Sequence, residues 1–181
     1  LSHFTPAIQA LAERRVRQGV DMRQAGCLSR ACLTRLVASG AVFFGVDLSG
    51  AQIQVGQLQD ADLRGANLSG ADLRAINLRG AKMNNADLRG ANLGFLPIDE
   101  ERQVRADLSG ARMRYVDLSG ARLRRANLAG CDLSFANLSG ADLRQVDLTR
   151  AVLHGAKRVR DALEVAGVDG VSGVPRRGGT A

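Results

Sequence analysis

The side chains able to do chemistry in this sequence never gather into a working set. Two histidines are present, His3 near the first residue and His154 far along the chain, and neither has a nucleophile or a metal-ligand spacing beside it. Cys27 and Cys32 stand five residues apart and Cys131 is remote. A zinc site needs more ligands than that neighbourhood supplies, and the thiols are too few for a disulfide framework. Asp recurs at Asp47, Asp62, Asp72, Asp87, Asp107, Asp117, Asp132, Asp142 and Asp147, which invites a calcium reading. Asn67, Asn77, Asn92, Asn127 and Asn137 occupy equivalent places, however, and a site that requires charge does not tolerate that exchange. The Gly-rich nonapeptide of calcium-binding β-rolls is missing, and the glycines keep a count of five rather than the spacing of a phosphate loop. The expectation is a protein with no catalytic residue, no metal and no cofactor.

That count of five is the dominant feature of the chain. From Ala61 it reads ADLRG, ANLSG, ADLRA, INLRG, AKMNN, ADLRG, ANLGF, and from Ala106 it resumes as ADLSG, ARMRY, VDLSG, ARLRR, ANLAG, CDLSF, ANLSG, ADLRQ, VDLTR, AVLHG. Numbering each pentad from its small residue, Ala takes position 1, Asp or Asn position 2, Leu position 3, and Gly is frequent at position 5. Residues two apart on an extended segment point the same way, so positions 1 and 3 face inward together. Gly tolerates the backbone angles of a turn, and Asp and Asn hydrogen-bond nearby backbone there. On a 3.6-residue helix successive leucines would fall about 140° apart and form no stripe. A flat strand would turn every second Leu to solvent. A corner in each pentad removes the conflict. The inward centres are then Leu48, Leu63, Leu68, Leu73, Leu78, Met83, Leu88, Leu93, Leu108, Met113, Leu118, Leu123, Leu128, Leu133, Leu138, Leu143 and Leu148, and Cys131 is a small core residue in the place of Ala.

These pentads resemble the pentapeptide-repeat family, whose motif is commonly written A(D/N)LXX. The match runs from about Gly26 to about Gly155. The resemblance implies an all-β solenoid: a right-handed quadrilateral β-helix of about seven coils, four pentads per turn, with turns about 4.8 Å apart. Exceptions at spacing twenty agree with four sides. Phe95, Tyr115 and Phe135 are one such series, and Ile76, Leu96 and Val116 another. On that count Cys27 and Cys32 lie on neighbouring faces.

Three regions follow. Residues 1–25 form an N-terminal cap with a helix over Pro6–Gln18, where Ile8, Leu11, Ala12 and Val16 have helical spacing. Residues 26–155 form the repeats, beginning with degenerate pentads (GCLSR, ACLTR, LVASG, AVFFG) and containing an irregular loop near 97–105. Residues 156–181 hold a cap helix over Lys157–Ala166 and a tail. Caps cover the core and strand edges that an open solenoid end exposes. Because Ala91 and Ala106 remain in phase across the irregular stretch, that stretch is expected to replace two sides of one coil, keeping Phe95 and Tyr115 on one face.

Aromatics make up 3% of the chain and Trp is absent, which suits a narrow core of small aliphatics. The net charge of +7 is concentrated at the two ends and leaves residues 46–155 near +1. No apolar run approaches the ~18 residues of a membrane span, and no signal-peptide pattern is seen. With the few cysteines this points to a cytoplasmic protein, and the resemblance implies a bacterial one. The first residue is Leu rather than Met, so a repeat domain of a longer secreted effector or secretion-system protein is a further expectation.

Function must then reside on the faces. Spacing twenty collects Arg102, Arg105, Arg122, Arg124, Arg125 and Arg144 on one side, with Lys82 one coil earlier and Glu101 and Asp142 diluting the charge. Without interleaved aromatics this side does not suit single-stranded nucleic acid. The opposite side collects Phe95, Tyr115 and Phe135 with Arg112 and Arg114, a combination typical of protein hot spots and equally of a self-stabilising ring ladder. The leading expectation is a non-enzymatic scaffold for a protein partner, with a homodimer through a terminal cap as an option. The resemblance also implies a second function, binding to a type II topoisomerase such as DNA gyrase with fluoroquinolone or toxin resistance. A near-neutral, Arg-bearing rod is a poor imitation of DNA.

Overall fold

Where position 2 carries a short side-chain acceptor, a pentad can account for all five of its backbone N–H groups, and that accounting explains the fold. The structure is a computed structural model describing residues 21–25 and 27–158. In the pentad Ala66–Gly70, Ala66 N–H donates to Leu63 O at 3.1 Å, closing the corner behind it, and Asn67 N–H donates to Val46 O at 3.0 Å in the preceding coil. Leu68 and Gly70 N–H donate to Asp87 O and Arg89 O, at 2.7 and 2.8 Å, in the following coil. The fifth group, Ser69 N–H, is taken by the side chain of position 2, Asn67 Oδ1, at 3.1 Å. Asp serves the same purpose: Asp107 Oδ1 accepts from Ser109 N and Asp117 Oδ1 from Ser119 N, at 3.0 and 2.9 Å. Position 2 therefore asks for a short acceptor, charged or neutral, which is why Asp and Asn alternate freely there.

Position 5 closes the corner in the left-handed region. Every pentad from the one ending at Arg30 to the one ending at Gly155 closes on a positive φ near 60°, except the one ending at Phe95. With the position 1 to position 3 hydrogen bond this is a type II turn, whose third residue needs φ > 0. Half of these residues are not Gly, so inter-coil bonding holds them in a conformation that costs about 1–3 kcal/mol outside Gly, Asn and Asp. β-Branched Val55, at φ 61°, is the extreme case.

Parallel bridges between position 2 residues define four faces. The first runs Cys32–Gln52–Asp72–Asn92–Arg122–Asp142, the second Val37–Gln57–Asn77–Asp107–Asn127–Asp147. The third runs Val42–Asp62–Lys82–Arg112–Asp132–Val152, and the fourth Asp47–Asn67–Asp87–Asp117–Asn137–Lys157. About six coils lie within the described residues. The Leu and Met centres from Leu48 to Leu148 are at most 4% exposed and form one axial column with the position 1 residues. Each buried Leu contributes roughly 1.5–3 kcal/mol. One early pentad inverts the pattern, with Leu36 at position 1 and Ala38 at the centre; directly above, Gly56 and Leu58 have the complementary sizes. A Cβ on Gly56 would meet Leu58 Cδ1 at 3.0 Å, so the two coils fill one volume by opposite choices. Below the first coil a short 3-10 helix, Met22–Ala25, contributes Met22 to the core.

The coil is interrupted once. After Leu93 the chain leaves the wall as a hairpin, β1 (Leu96–Pro97) pairing antiparallel with β2 (Gln103–Val104). Its tip is held by Asp99, whose Oδ1 accepts from Glu101 N and Arg102 N at 3.2 and 2.7 Å and whose Oδ2 meets the Arg102 guanidinium at 2.5 Å. The wall resumes at Ala106.

Here the structure corrects the expectation from sequence. The bridges Asn77–Asp107, Lys82–Arg112, Asp87–Asp117 and Asn92–Arg122 step by thirty residues, and every later bridge steps by twenty. The ten residues are thus inserted between walls and do not replace two sides of a coil; Ile98 is 55% exposed. The reason is Pro97. In phase it would stand at position 2, whose N–H must donate to the carbonyl of the coil below. Asp107 N–H makes that bond instead, to Ile76 O at 2.8 Å. Phe95 and Tyr115 consequently fall on opposite faces, the first and third. Ile76 and Val116, on the second and fourth faces, are buried without aligning, and Leu96 belongs to the hairpin. The square period of twenty stands, although both series that suggested it crossed the insertion. Lys157, the expected start of a cap helix, bridges Asn137 as part of the coil. The rest of that helix, the N-terminal helix over 6–18 and the homodimer contact assigned to a cap lie outside the described residues.

Candidate interaction faces

The first face is an arginine face built mostly of internal contacts. The guanidinium of Arg125 lies 5.0 Å from the centre of the Phe95 ring, donates from Nε to Gln145 Oε1 at 2.8 Å and hydrogen-bonds Gln103 of the hairpin. One side chain thereby roofs an aromatic, joins two coils and pins the insertion. Arg144 forks onto Asp142, Nη2 to Oδ2 at 2.6 Å, and Arg74 onto Asp72 at 2.7 Å. The same arrangement joins Arg64 to Asp62 and Arg89 to Asp87. Wherever Asp at position 2 precedes Arg at position 4 the carboxylate takes the guanidinium as well as the backbone N–H. Hydrogen bonds from the Arg side chain hold the Asp62, Asp87 and Asp142 carboxyls below the ordinary range against the opposing effect of burial, with a lesser contribution from the backbone N–H. Arg122 and Arg124 belong to a pentad with Arg at position 2 and have no such fork. Arg102 and Arg105 stand in the hairpin segment, not on the wall, and Lys82 lies on the opposite, third face.

The third face is an aromatic face. Tyr115 and Phe135 stack at 4.9 Å with ring planes 7° apart, and the edge of His154 meets Phe135 at 5.4 Å. Phe135 covers Gly155, where a Cβ would stand 2.6 Å from the ring. The Arg114 guanidinium is 5.9 Å from the Tyr115 ring centre and 3.9 Å from Asp132 Oδ2. In that pentad position 2 is Arg112, which has no acceptor to offer; Asn84 Oδ1, from the coil below, takes Arg114 N–H at 3.1 Å in its place. Two coils below Asn84, Phe44 carries the Arg64 guanidinium at 5.5 Å. Sequence reasoning missed Phe44 and misplaced Phe95. Of the large apolar residues that remain exposed, Phe44, Tyr115, Phe135 and Val152 are all on this face, Ile98 and Val104 are in the hairpin, and Val37 is on the second face. The signal for Phe44 was available: it is the position 4 residue of a pentad whose centre, Phe43, is already aromatic and fully buried.

The remaining residues with reactive potential stand apart from one another. Cys27 and Cys32 are exposed on the neighbouring fourth and first faces. Cys131 is buried, its thiol donates to Leu108 O at 2.9 Å, and burial pushes its pKa up to about 12. Among the described residues no group of three or more His, Cys, Asp or Glu is placed to hold a metal ion, and no helix is long and apolar enough to cross a membrane.

Comparison with known proteins places this geometry. The pentapeptide-repeat family matches in eight copies over residues 57–94, 104–130 and 126–157. The chain belongs to the pentapeptide-repeat family. Its members fold as right-handed β-helices, in keeping with the square coil described above. Among solved structures, a pentapeptide repeat protein of the Arabidopsis thaliana thylakoid lumen is 29% identical over 72% of this chain and 83% of its own, with a TM-score of 0.57. HetL, a pentapeptide repeat protein involved in heterocyst differentiation regulation from Nostoc sp. strain PCC 7120, is 34% identical, with a TM-score of 0.48. That match covers 70% of this pentapeptide repeat chain and only 56% of HetL. QnrB1, a plasmid-mediated fluoroquinolone resistance protein, is 19% identical, with a TM-score of 0.31 over 77% and 83% of the two chains. No curated protein matches.

Proposed function

We propose that this pentapeptide repeat rod is a non-catalytic scaffold that binds a protein partner through its outward faces. The observation that supports it best is the distribution of exposed large apolar side chains, all of which among the described residues lie on the third face and the hairpin except Val37 on the second face. Scattered singly such residues carry no meaning; contiguous ones mark interaction surfaces. Rigidity suits the role, because a coil bonded to its neighbours through positions 2, 3 and 5 presents its side chains with little ordering cost. Mimicry of a DNA duplex, the basis of topoisomerase binding, calls for acidic faces, and the first and third faces carry arginine and lysine.

In-cell photo-crosslinking tests the scaffold reading. A photoreactive residue is placed in turn at Arg124, Ser109, Arg114 and Ser119, one on each face. Discrete protein adducts from at least one face are the expected result. Absence of an adduct from all four, with the rod folded and expressed, would overturn it.

A further inference from the structure

We infer that the third face is the docking site for an acidic protein segment with apolar residues on either side of its charges. The inference rests on the scaffold reading and specifies which face is used and by what chemistry.

The argument begins with a pairing the rod would be better without. Along the third face position 2 reads Val42, Asp62, Lys82, Arg112, Asp132, Val152, and Lys82 is bridged in register to Arg112. Like charges directly opposite on neighbouring strands are destabilising. The other like-charged pair in the four ladders, Asp87 with Asp117, is supplied with a counter-ion: Arg89 forks onto Asp87 at 2.6 Å and its charge also acts on Asp117. No carboxylate is forked between Lys82 and Arg112 in this way, although Asp62, bridged to Lys82 from the coil below, feels the Lys82 charge. The flanking carboxylates are already engaged, Asp62 by Arg64 at 2.6 Å and Asp132 by the Ser134 hydroxyl at 2.6 Å with Arg114 at 3.9 Å. Two adjacent cations, neither within ion-pair distance of a carboxylate among the described residues, thus form the centre of the face.

What surrounds that centre defines the occupant. Tyr115 lies beside Arg112 on the same coil, Phe135 and Val152 lie above and Phe44 below, all exposed. Phe44 and His154 are five coil steps apart, about 24 Å, the reach of roughly seven extended residues. A segment with acidic residues in the middle and apolar ones at its ends matches this order of charge and surface. A nucleic-acid strand matches less well. The Tyr115 and Phe135 rings are already stacked at 4.9 Å, leaving no slot for a base, and Phe135 is further closed by Gly155 and the His154 edge.

The probe is a fluorescein-labelled heptapeptide with three central acidic residues between paired leucine and phenylalanine, titrated by anisotropy against the whole chain. An amide analogue and an oligothymidine of similar length are titrated in parallel. Saturable binding of the acidic peptide that weakens with salt is expected, with the analogue and the oligothymidine at least tenfold weaker. Lys82→Asn and Tyr115→Ser each reduce affinity tenfold or more, whereas Arg124→Ala on the opposite face changes it less than twofold. Lys82→Asn also melts no lower than the parent, because it removes the like-charge pair and offers Asp62 an amide donor, as Asn67 does for Asp47 at 3.1 Å. That combination of retained stability and lost binding distinguishes a docking residue from a structural one. The inference is overturned by absence of saturable acidic-peptide binding, by equal binding of the analogue or the oligothymidine, or by equal loss in Arg124→Ala. Photo-crosslinked adducts from another face, with no peptide binding here, would leave the scaffold reading standing and remove this one alone.

Discussion

The arginine face and the aromatic face are made from the same residue types and use them in opposite ways. On the first face Phe95 lies under Arg125, and Arg125 also holds Gln145 and Gln103, so cation and ring are consumed in attaching the hairpin to the wall. On the third face Tyr115 and Phe135 stack on each other and remain 54% and 36% exposed, while Lys82 and Arg112 lack an ion pair. An aromatic beside an arginine is therefore no sign of function in itself. What separates a brace from a docking surface is whether the chain's own groups have already satisfied the pair.

The sharpest way to break that contrast is to disturb the ring stack where it does serve the fold. Gly155 has φ +66°, and a Cβ there would stand 2.6 Å from Phe135 Cδ1. Gly155→Val must accept both a strained backbone and a displaced ring, and destabilisation of about 2 kcal/mol or more is expected in urea denaturation. If Phe135 were a free surface ring, the variant would lose only the smaller backbone penalty. Gly120→Val, at φ +67° with nothing near its Cβ, measures that penalty separately.

A smaller effect is expected on the arginine face. Arg125→Ala removes the cover of Phe95 and the tie to Gln103, costing about 1–2 kcal/mol for a half-exposed cation–π and hydrogen-bond set. Its signature is local. Hydrogen exchange of the Ile98 and Asp99 amides, bonded to Arg102 O at 2.9 and 3.3 Å, should accelerate, while Leu123 N–H, bonded to Asp142 O at 2.9 Å, keeps its protection. Uniform acceleration throughout the coil would show that the clamp is part of the global fold, and the contrast between the two faces would then be lost.

Most of the wall could be read from the order of residue types, because each pentad offers the same donors and acceptors to the coils above and below it and repeats that solution. The small residue at position 1, the acceptor at position 2 and the inward Leu need no knowledge of distant chain. The insertion could not be read by counting, since ten residues is two pentads and leaves the phase of five unchanged while moving every later residue to the opposite face. One local signal was present. Pro97 at position 2 has no N–H to give the coil below, so that stretch was never able to be wall. The faces were misassigned for the same reason: Phe95, Lys82, Arg102 and Arg105 were matched by arithmetic across a break that only hydrogen-bond accounting reveals. The partner-facing role of Lys82 and Arg112 was hidden for a different reason, since it depends on which carboxylates are already occupied, and that is a property of the assembled ladder.

The smallest effect concerns the Asp–Arg forks that make one part of each charged face inert. In Asp142→Asn the amide oxygen still accepts Arg144 N–H, now 3.1 Å from Asp142 Oδ1, as Asn137 does for Ser139 at 3.2 Å. Only the contact with the guanidinium is weakened. For an exposed pair the expected loss at neutral pH is within about 0.5 kcal/mol. The pH dependence is more informative. The Asp142 carboxyl is held below its ordinary range by hydrogen bonds from Arg144, so the folded state binds its proton less readily than the unfolded chain does. Its stabilisation is complete above the unfolded value of about 4 and disappears as pH falls through the lower folded value. Melting curves of the parent should therefore drop below about pH 4, with contributions from Asp62 and Asp87 as well, and Asp142→Asn should drop slightly less. Arg125, whose partners are an aromatic and two glutamines, supplies the control: the destabilisation caused by Arg125→Ala should be the same at pH 3 and pH 7. If the folded chain bound the Asp142 proton as readily as the unfolded chain, the acid limb of Asp142→Asn would superimpose on the parent, and the distinction between a neutralised arginine and an available one would have to be drawn on geometry without charge.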